Sequence, residues 1–195
     1  MSRSRSPSFR MTRTKTSNGM GTQIGSMEDL FVDQLRDLYS AEDQIIQALP
    51  QMAQAASSAE LKTAFQQHLE QTRTHKQRLD RIFSTLNMSS SGQKCEGMEG
   101  LLKEGQEALQ LSGDPLVKDA ALIAAAQRVE HYEMAGYGTV RTFADQLGHS
   151  DAKDLLQQTL NEEGEADKKL TSLAEGGMFK TGINEKASMN AGKRS

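Results

Sequence analysis

The sequence of 195 residues contains few of the residues that interrupt helices or cross-link chains: three prolines, one cysteine and no tryptophan. Proline is the residue least compatible with a helix interior. Its scarcity, together with abundant alanine, leucine, glutamine and glutamate, favours an all-α protein. The lone cysteine, Cys95, excludes an intramolecular disulfide framework and is compatible with a reducing compartment. We expect it to be a small buried side chain rather than a reactive thiol.

Long apolar runs are also missing. No stretch approaches the ~20 apolar residues that a membrane-spanning helix requires, so we expect no membrane partner. The sequence contains nothing similar to a phosphate-binding loop, a nucleophile elbow or a zinc knuckle. Several common classes of enzyme and nucleic-acid-binding module are thereby excluded.

Charge is distributed unevenly along the chain. Residues 1–26 carry five cations and no acid, and residues 176–195 carry a net charge of +3. Because the whole chain carries −3, residues 27–175 carry −11. This pattern predicts a disordered basic N-terminal tail (1–26), a folded acidic body (27–175) and a flexible C-terminal tail (176–195). Residues 1–26 are also open to interpretation as a targeting segment or a vector-derived leader.

Hydrophobic periodicity predicts four long helices in the body, at about 28–55, 59–86, 115–147 and 150–175. Ser26 and Ser57 are the expected N-terminal caps of the first two helices, and Asp114 before Pro115 is that of the third. Pro50 is expected to kink or break the end of the first helix. A shorter helix is predicted between the second and third long helices. These features indicate an antiparallel four-helix bundle with a short extra helix.

Polar residues interrupt each apolar stripe near its middle. They are Glu42 in the first long helix, His68 and His75 in the second, Glu130 in the third, and Glu163 and Asp167 in the fourth. In such a bundle the middles of all four helices meet in one layer. Several carboxylates at that depth repel one another, and a divalent cation would hold them ionised. Carboxylates and imidazoles on facing helices are the ligands of di-iron and di-manganese bundles, so iron or manganese is the expected cofactor. We expect Glu133 to point away from this layer.

Several stretches of the body carry a family resemblance. "FVDQLRDLYSAEDQIIQAL", "AFQQHLEQT", "KCEGMEGLLKE", "DAALIAAAQRVEHYEMAGYGTVR" and "LLQQTLNEEGEADKKLTSLA" resemble the YciF-type bacterial stress proteins of the ferritin-like superfamily. The resemblance implies a ferritin-like four-helix fold, a cytoplasmic location, a homodimer and a rubrerythrin-like metal centre. Its pattern supports as ligands Glu42, His68, Glu130, His131, Glu163 and Asp167.

Gln71 is a departure from the family, whose members commonly have "HLEET" where this chain has "HLEQT". An amide is a weaker ligand than a carboxylate, so metal affinity is expected to be reduced or one of two sites lost. Asp167 or His75 are the residues that would compensate. Small residues at Gly136 and Gly138 are weak local support for close packing across a dimer.

Three functional classes remain open, and no catalytic residue is assigned. The first is a metal-binding oxidoreductase or peroxide-detoxifying protein. The second is a non-catalytic stress protein whose polar layer binds no metal. The third is a bundle whose basic tail binds nucleic acid. The third is the least favoured, because the acidic body opposes binding to a polyanion.

Overall fold

The computed structural model describes residues 24–177 and 180–191. The predicted basic tail therefore lies outside the described residues, except for residues 24–26. The helices and strands, in chain order, are α1 (Met27–Ala55), α2 (Ala59–Thr85), α3 (Glu96–Gln110), α4 (Pro115–Leu147), α5 (Ser150–Glu175), β1 (Gly176–Gly177), β2 (Lys180–Thr181) and α6 (Ile183–Ala191).

The four long helices form the bundle that the sequence predicts, with the shorter helix α3 inserted between α2 and α4. Three residues connect α1 to α2 and two connect α4 to α5, so each pair folds back as an antiparallel hairpin. The helix α3 packs against α1 and α4. Within the described ranges, no helix is long and apolar enough to cross a bilayer.

The helix boundaries follow local capping chemistry. Ser26 caps α1 by accepting a hydrogen bond from the Asp29 backbone N–H, as predicted. The cap of α2 is Ser58, one residue later than expected, because the backbone N–H groups of Ser57 and Ser58 both donate to the buried Asp119 carboxylate. Asp114 caps α4 as predicted.

Pro50 does not break α1, although a break is one of the two outcomes that the sequence predicts. The helix continues to Ala55, and Pro50 lies on its exposed face. Leu49, Met52 and Ala53 are buried in the core on both sides of the proline. Their burial outweighs the loss of one backbone hydrogen bond at a solvated position.

The apolar core consists of two clusters at opposite ends of the bundle. One is centred on Phe31, Leu35 and Leu79, and the other on Ile45 and Leu122. Each of the helices α2, α4 and α5 contributes apolar residues to both clusters, and buried polar residues lie between these two sets. A polar layer therefore crosses the middle of the bundle.

The predicted flexible C-terminal tail is wrong for the part that the structure describes. Residues 176–177 and 180–181 form an antiparallel hairpin, and α6 packs against α4 and α5. Ile183 and Ala187 are buried at the end of the core. Their four-residue spacing gives α6 one short apolar face, which the net charge and glycine content of this segment conceal in the sequence.

Gly136 is required by packing inside the chain rather than between chains. A Cβ at this position would lie 2.7 Å from Leu38 Cδ2, so glycine lets α4 approach α1 closely. Gly138 has open space around the Cβ position. Packing within the chain therefore explains Gly136, and the dimer stays a prediction.

Candidate metal centre

Six buried side chains meet in the polar layer. They are Glu42 from α1, His68 and His75 from α2, Glu130 and Glu133 from α4, and Glu163 from α5. His68 and His75 are seven residues apart, which is two helical turns, and therefore point from the same face of α2. Glu130 and Glu133 share a face of α4 for the same geometric reason.

These side chains form two groups that share Glu163. The first consists of His68, Glu130, Glu133 and Glu163, and the second of Glu42, His75 and Glu163. Within each group the potential ligand atoms lie within 4.8 Å of one another. His68 Nε2 is 3.3 Å from Glu130 Oε1 and 4.0 Å from Glu163 Oε2. His75 Nδ1 is 2.8 Å from Glu163 Oε1 and 3.7 Å from Glu42 Oε1.

The polar atoms of this layer are poorly satisfied by the protein itself. Among the described residues, ten buried side-chain nitrogen and oxygen atoms have no hydrogen-bond partner, and nine of them belong to these six residues. Two of the nine, His75 Nδ1 and Glu163 Oε1, lie 2.8 Å apart and form an ion pair, and both carboxylate oxygens of Glu133 are among the other seven. Buried polar atoms normally have hydrogen-bond partners. The number of unpaired nitrogen and oxygen atoms in this layer therefore indicates that it fits a ligand that is coordinated by nitrogen and oxygen.

The donor set fits metal ions. Four carboxylates and two imidazoles are the combination found in di-iron and di-manganese carboxylate bundles. Two divalent cations would balance the four negative charges that ionisation of these carboxylates produces. Glu163 is the one residue that belongs to both groups.

Burial determines the protonation of three of these carboxyl groups. It raises the pKa of Glu42 to about 8, with the charge of Glu163 adding to the effect and His75 opposing it. Burial also raises the pKa values of Glu130 and Glu133 well above their usual range, and Glu163 raises both further. Glu42 is therefore mainly protonated at neutral pH, and burial shifts Glu130 and Glu133 in the same direction.

The remaining groups titrate according to their neighbours. Burial acts to raise the pKa of Glu163, but the His75 and His68 imidazoles outweigh it and the pKa is lowered. Burial acts to lower the pKa of His75, but the carboxylates of Glu163, Glu42 and Glu162 raise it to about 9. Burial lowers the pKa of His68. In the protein without metal, Glu163 and His75 thus form a buried ion pair.

A second carboxylate, Glu162, lies behind His75. Its Oε2 is 2.8 Å from His75 Nε2, on the side of the ring opposite to Glu163. Arg78 donates two hydrogen bonds to Glu162, at 2.7 and 2.8 Å, and a third to Thr159 at 3.1 Å. This network orients the imidazole so that Nδ1 faces Glu163 in the polar layer.

Tyr137 closes the layer on the side of the apolar cluster centred on Phe31. Its ring is completely buried, and its hydroxyl donates a hydrogen bond to Glu42 Oε1. Burial raises the pKa of this phenol well above its usual range, and Glu42 and Glu133 add to the effect. Tyr137 is therefore a neutral hydrogen-bond donor beside the site.

The structure brings together five of the eight residues considered as ligands from the sequence, namely Glu42, His68, His75, Glu130 and Glu163. It does not bring Asp167, His131 or Gln71 into either group. Asp167 is half-buried, accepts a hydrogen bond from Gln127 and lies 3.3 Å from the Nε2 of the exposed His131. Gln71 is also half-buried and lines a small cavity next to His68.

Glu133 and Glu162 are the functional residues that the sequence interpretation missed. Glu133 was expected to point away, but it is buried in the layer. Its three-residue spacing from Glu130 is the signal that places both on one face. The sequence of α4 has alanines on several sides of the helix. Its apolar stripe therefore does not show which side of the helix faces the core.

Comparison with known proteins places this site in a family. The chain matches, over residues 26–187, the family described as "Domain of unknown function (DUF892)". The chain belongs to this family. Protein YciF of Escherichia coli (strain K12) is 47% identical to it over 150 residues, which are 76% of this chain and 90% of YciF. The resemblance to YciF-type proteins that the sequence shows is thus confirmed.

Solved structures agree with the ferritin-like fold. The crystal structure of the E. coli stress protein YciF superposes with a TM-score of 0.75 at 46% identity, covering 77% of this chain and 95% of YciF. A dodecameric thioferritin, the bacterioferritin-related protein from Bacteroides fragilis, superposes with a TM-score of 0.59 at 15% identity, covering 87% and 90% of the two chains. The second similarity establishes the fold alone.

Proposed function

We propose that this chain binds two metal ions, iron or manganese, in the polar layer of its bundle. The observation that carries the proposal is the pair of ligand groups that share Glu163, in which most of the buried polar atoms have no hydrogen-bond partner. A metal-free structural layer would be expected to satisfy these atoms by hydrogen bonds within the protein.

Each residue has a role in this proposal. His68, Glu130 and Glu133 would hold one ion, Glu42 and His75 would hold the other, and Glu163 would bridge the two. Glu162 and Arg78 position His75, and Tyr137 donates to Glu42. Bound iron or manganese would supply one-electron redox chemistry, which is the basis for proposing an oxidoreductase or peroxide-related role in stress. The E. coli relative is itself described as a stress protein.

Metal analysis of protein purified without chelator tests this function. We expect wild-type protein to contain iron or manganese and Glu163→Gln to lose it, because Glu163 belongs to both groups. Glu165→Gln is the matched control, since Glu165 is an exposed acid on the same helix that pairs with Lys168. Equal metal contents in the wild type and Glu163→Gln would instead support a structural layer without metal.

We also propose that the chain forms a homodimer in the cytoplasm, as its family resemblance implies. Light scattering that detects only monomer across micromolar concentrations would contradict the dimer. Binding of nucleic acid by residues 1–26 is a weaker proposal. It predicts that DNA retention falls steeply with salt and is lost when the chain begins at Met27.

A further inference from the structure

An apolar pocket leads from the surface to the metal-binding layer. It lies between α1, α3 and α4, and has a cavity volume of about 60 Å³. Its walls are mainly aliphatic and include Ile45, Leu101 and Val129. The exposed Gln51 and Gln106 mark its mouth, and His68 and Glu130 form its inner end.

The polar atoms at the inner end lack partners. His68 is 7% exposed and Glu130 is 2% exposed, so both side chains are more than nine-tenths buried. Neither ring nitrogen of His68 has a hydrogen-bond partner, and neither does Glu130 Oε2. The pocket therefore combines an aliphatic wall with hydrogen-bonding capacity at one end only. We propose that it binds a small uncharged aliphatic molecule that carries one hydroxyl or hydroperoxyl group, with that group against His68 and Glu130.

Size and charge define this ligand class. A cavity of about 150 Å³ encloses benzene, so one of 60 Å³ encloses roughly two or three heavy atoms, with any further atoms in the mouth. An anion would have to lose its hydration between aliphatic walls and would face the ionised Glu163 behind Glu130. An organic cation would have to lose its hydration between aliphatic walls. A neutral hydroxyl group can donate to Glu130 Oε2 while its carbon chain lies along α3.

A second cavity reaches the same residues from the other side. It has a volume of about 30 Å³, lies between α2 and α5, and has a mixed lining that includes Gln67, Gln71 and Lys169 as well as Phe65 and Leu170. The pocket under α3 is therefore the more uniformly aliphatic of the two approaches to His68 and Glu130.

The proposal deepens the metal-binding function, because the pocket ends on two of the metal-ligand candidates. Its test, however, does not need metal. Full-length protein treated with chelator is titrated with 1-propanol and with ethyl hydroperoxide, two neutral molecules of similar size, while the methyl NMR signals of Ala125 and Val129 are followed. We expect saturable shifts with a dissociation constant on the order of millimolar, as the few atoms of these ligands allow. Propionate should cause no such shifts.

Two glycines of α3 provide a matched pair of variants. Gly105 lines the pocket, and a Cβ there would lie 4.0 Å from Ala125 Cβ, so Gly105→Leu should place its side chain in the cavity. Gly100 is exposed with open space around its Cβ position, so Gly100→Leu adds the same side chain outside the pocket. We expect Gly105→Leu to weaken 1-propanol binding at least about tenfold and Gly100→Leu to leave it unchanged. If Gly105→Leu does not fold, Ala48→Leu fills the pocket from α1.

The outcomes separate the pocket from the metal site. Three results would overturn the proposal. The first is that folded Gly105→Leu binds 1-propanol as well as the wild type does, and the second is that propionate binds as tightly as 1-propanol. The third is that neither 1-propanol nor ethyl hydroperoxide causes saturable shifts. Saturable shifts with either probe support the proposal. Comparing the two probes shows whether the pocket binds the hydroxyl group, the hydroperoxyl group or both. We expect metal content to be the same in Gly105→Leu and the wild type. If the wild type takes up no metal but binds 1-propanol, and Gly105→Leu weakens that binding, the metal function is refuted and the pocket proposal stands.

Discussion

At the residue scale, buried carboxyl groups without partners are the defining feature of this protein. Glu133 is 99% buried, by its exposure of 1%, and neither of its oxygens has a partner. A buried polar group of this kind destabilises the fold unless something binds it. Glu133 is therefore expected to favour metal binding and to lower the stability of the metal-free protein.

Glu133→Leu should separate the two effects. In the presence of chelator, the variant is expected to have a free energy of unfolding about 1–4 kcal/mol higher than that of the wild type, because the orphaned carboxyl is removed. In the presence of iron or manganese the order should reverse, since only the wild type gains stability from bound metal. Urea unfolding under both conditions measures this. A variant that is less stable in chelator and still binds metal normally would contradict it.

Glu162→Gln tests the orientation of His75. The amide removes the charged partner of both His75 Nε2 and Arg78. We expect metal affinity to fall by about 10- to 100-fold, with the number of bound ions unchanged and the visible spectrum of the cobalt-substituted protein altered. Glu165→Gln serves as the control. If affinity and spectrum match the wild type, Glu162 does not position the imidazole.

Gln71→Glu tests the residue that departs from the family. The sequence predicts tighter metal binding, because a carboxylate would replace an amide. The structure places Gln71 beside the small polar cavity rather than in either ligand group. A metal titration that shows unchanged or weaker affinity would place position 71 outside the coordination shell.

At the scale of elements, each long helix contributes buried polar residues to the central layer where its apolar contacts change from one core cluster to the other. On α2 this change extends from His68 to His75, and on α4 it includes Glu130 and Glu133. The short helix α3 has a different role, because it covers the aliphatic pocket. Its first residues are anchored by Cys95, whose backbone N–H donates to Ser40 and whose thiol contacts Asp37 and Tyr132.

The C-terminal helix α6 is expected to contribute to stability. Ile183→Ala should lower the free energy of unfolding by about 2–4 kcal/mol, because the side chain is buried against the core. Met189→Ala on the same helix should have little effect, since Met189 is exposed. Chemical denaturation compares the two variants. Equal stabilities of Ile183→Ala and the wild type would favour the flexible tail that the sequence predicts.

At the scale of the whole molecule, pH should affect the metal-free and metal-bound states in opposite directions. Glu42 has its pKa raised from 4.5 to about 8, and His75 from 6.5 to about 9. Both groups retain protons in the folded state that the unfolded state releases. Their contributions to stability are therefore present at low pH and are lost as pH rises through about 8 and 9.

We accordingly expect the metal-free protein to be less stable at pH 8.5 than at pH 6. Metal affinity should increase over the same interval, because the ion displaces protons from Glu42, Glu130 and Glu133. Thermal unfolding in chelator and calorimetric titration with manganese measure the two trends, and Glu42→Gln should reduce both. Metal affinity that is independent of pH would contradict proton displacement.

The sequence alone determines the helical class, the four long helices and five of the six residues in the buried polar layer. These features depend on local periodicity and capping, or on polar residues that interrupt an apolar stripe, and both are readable along the chain. Tertiary structure decides the rest. The rotation of α4 brings Glu133 inward, α6 is held by burial against helices distant in sequence, and Glu162 gains its role from its contacts with His75 and Arg78 on α2. These outcomes depend on contacts between distant segments, which local pattern does not specify.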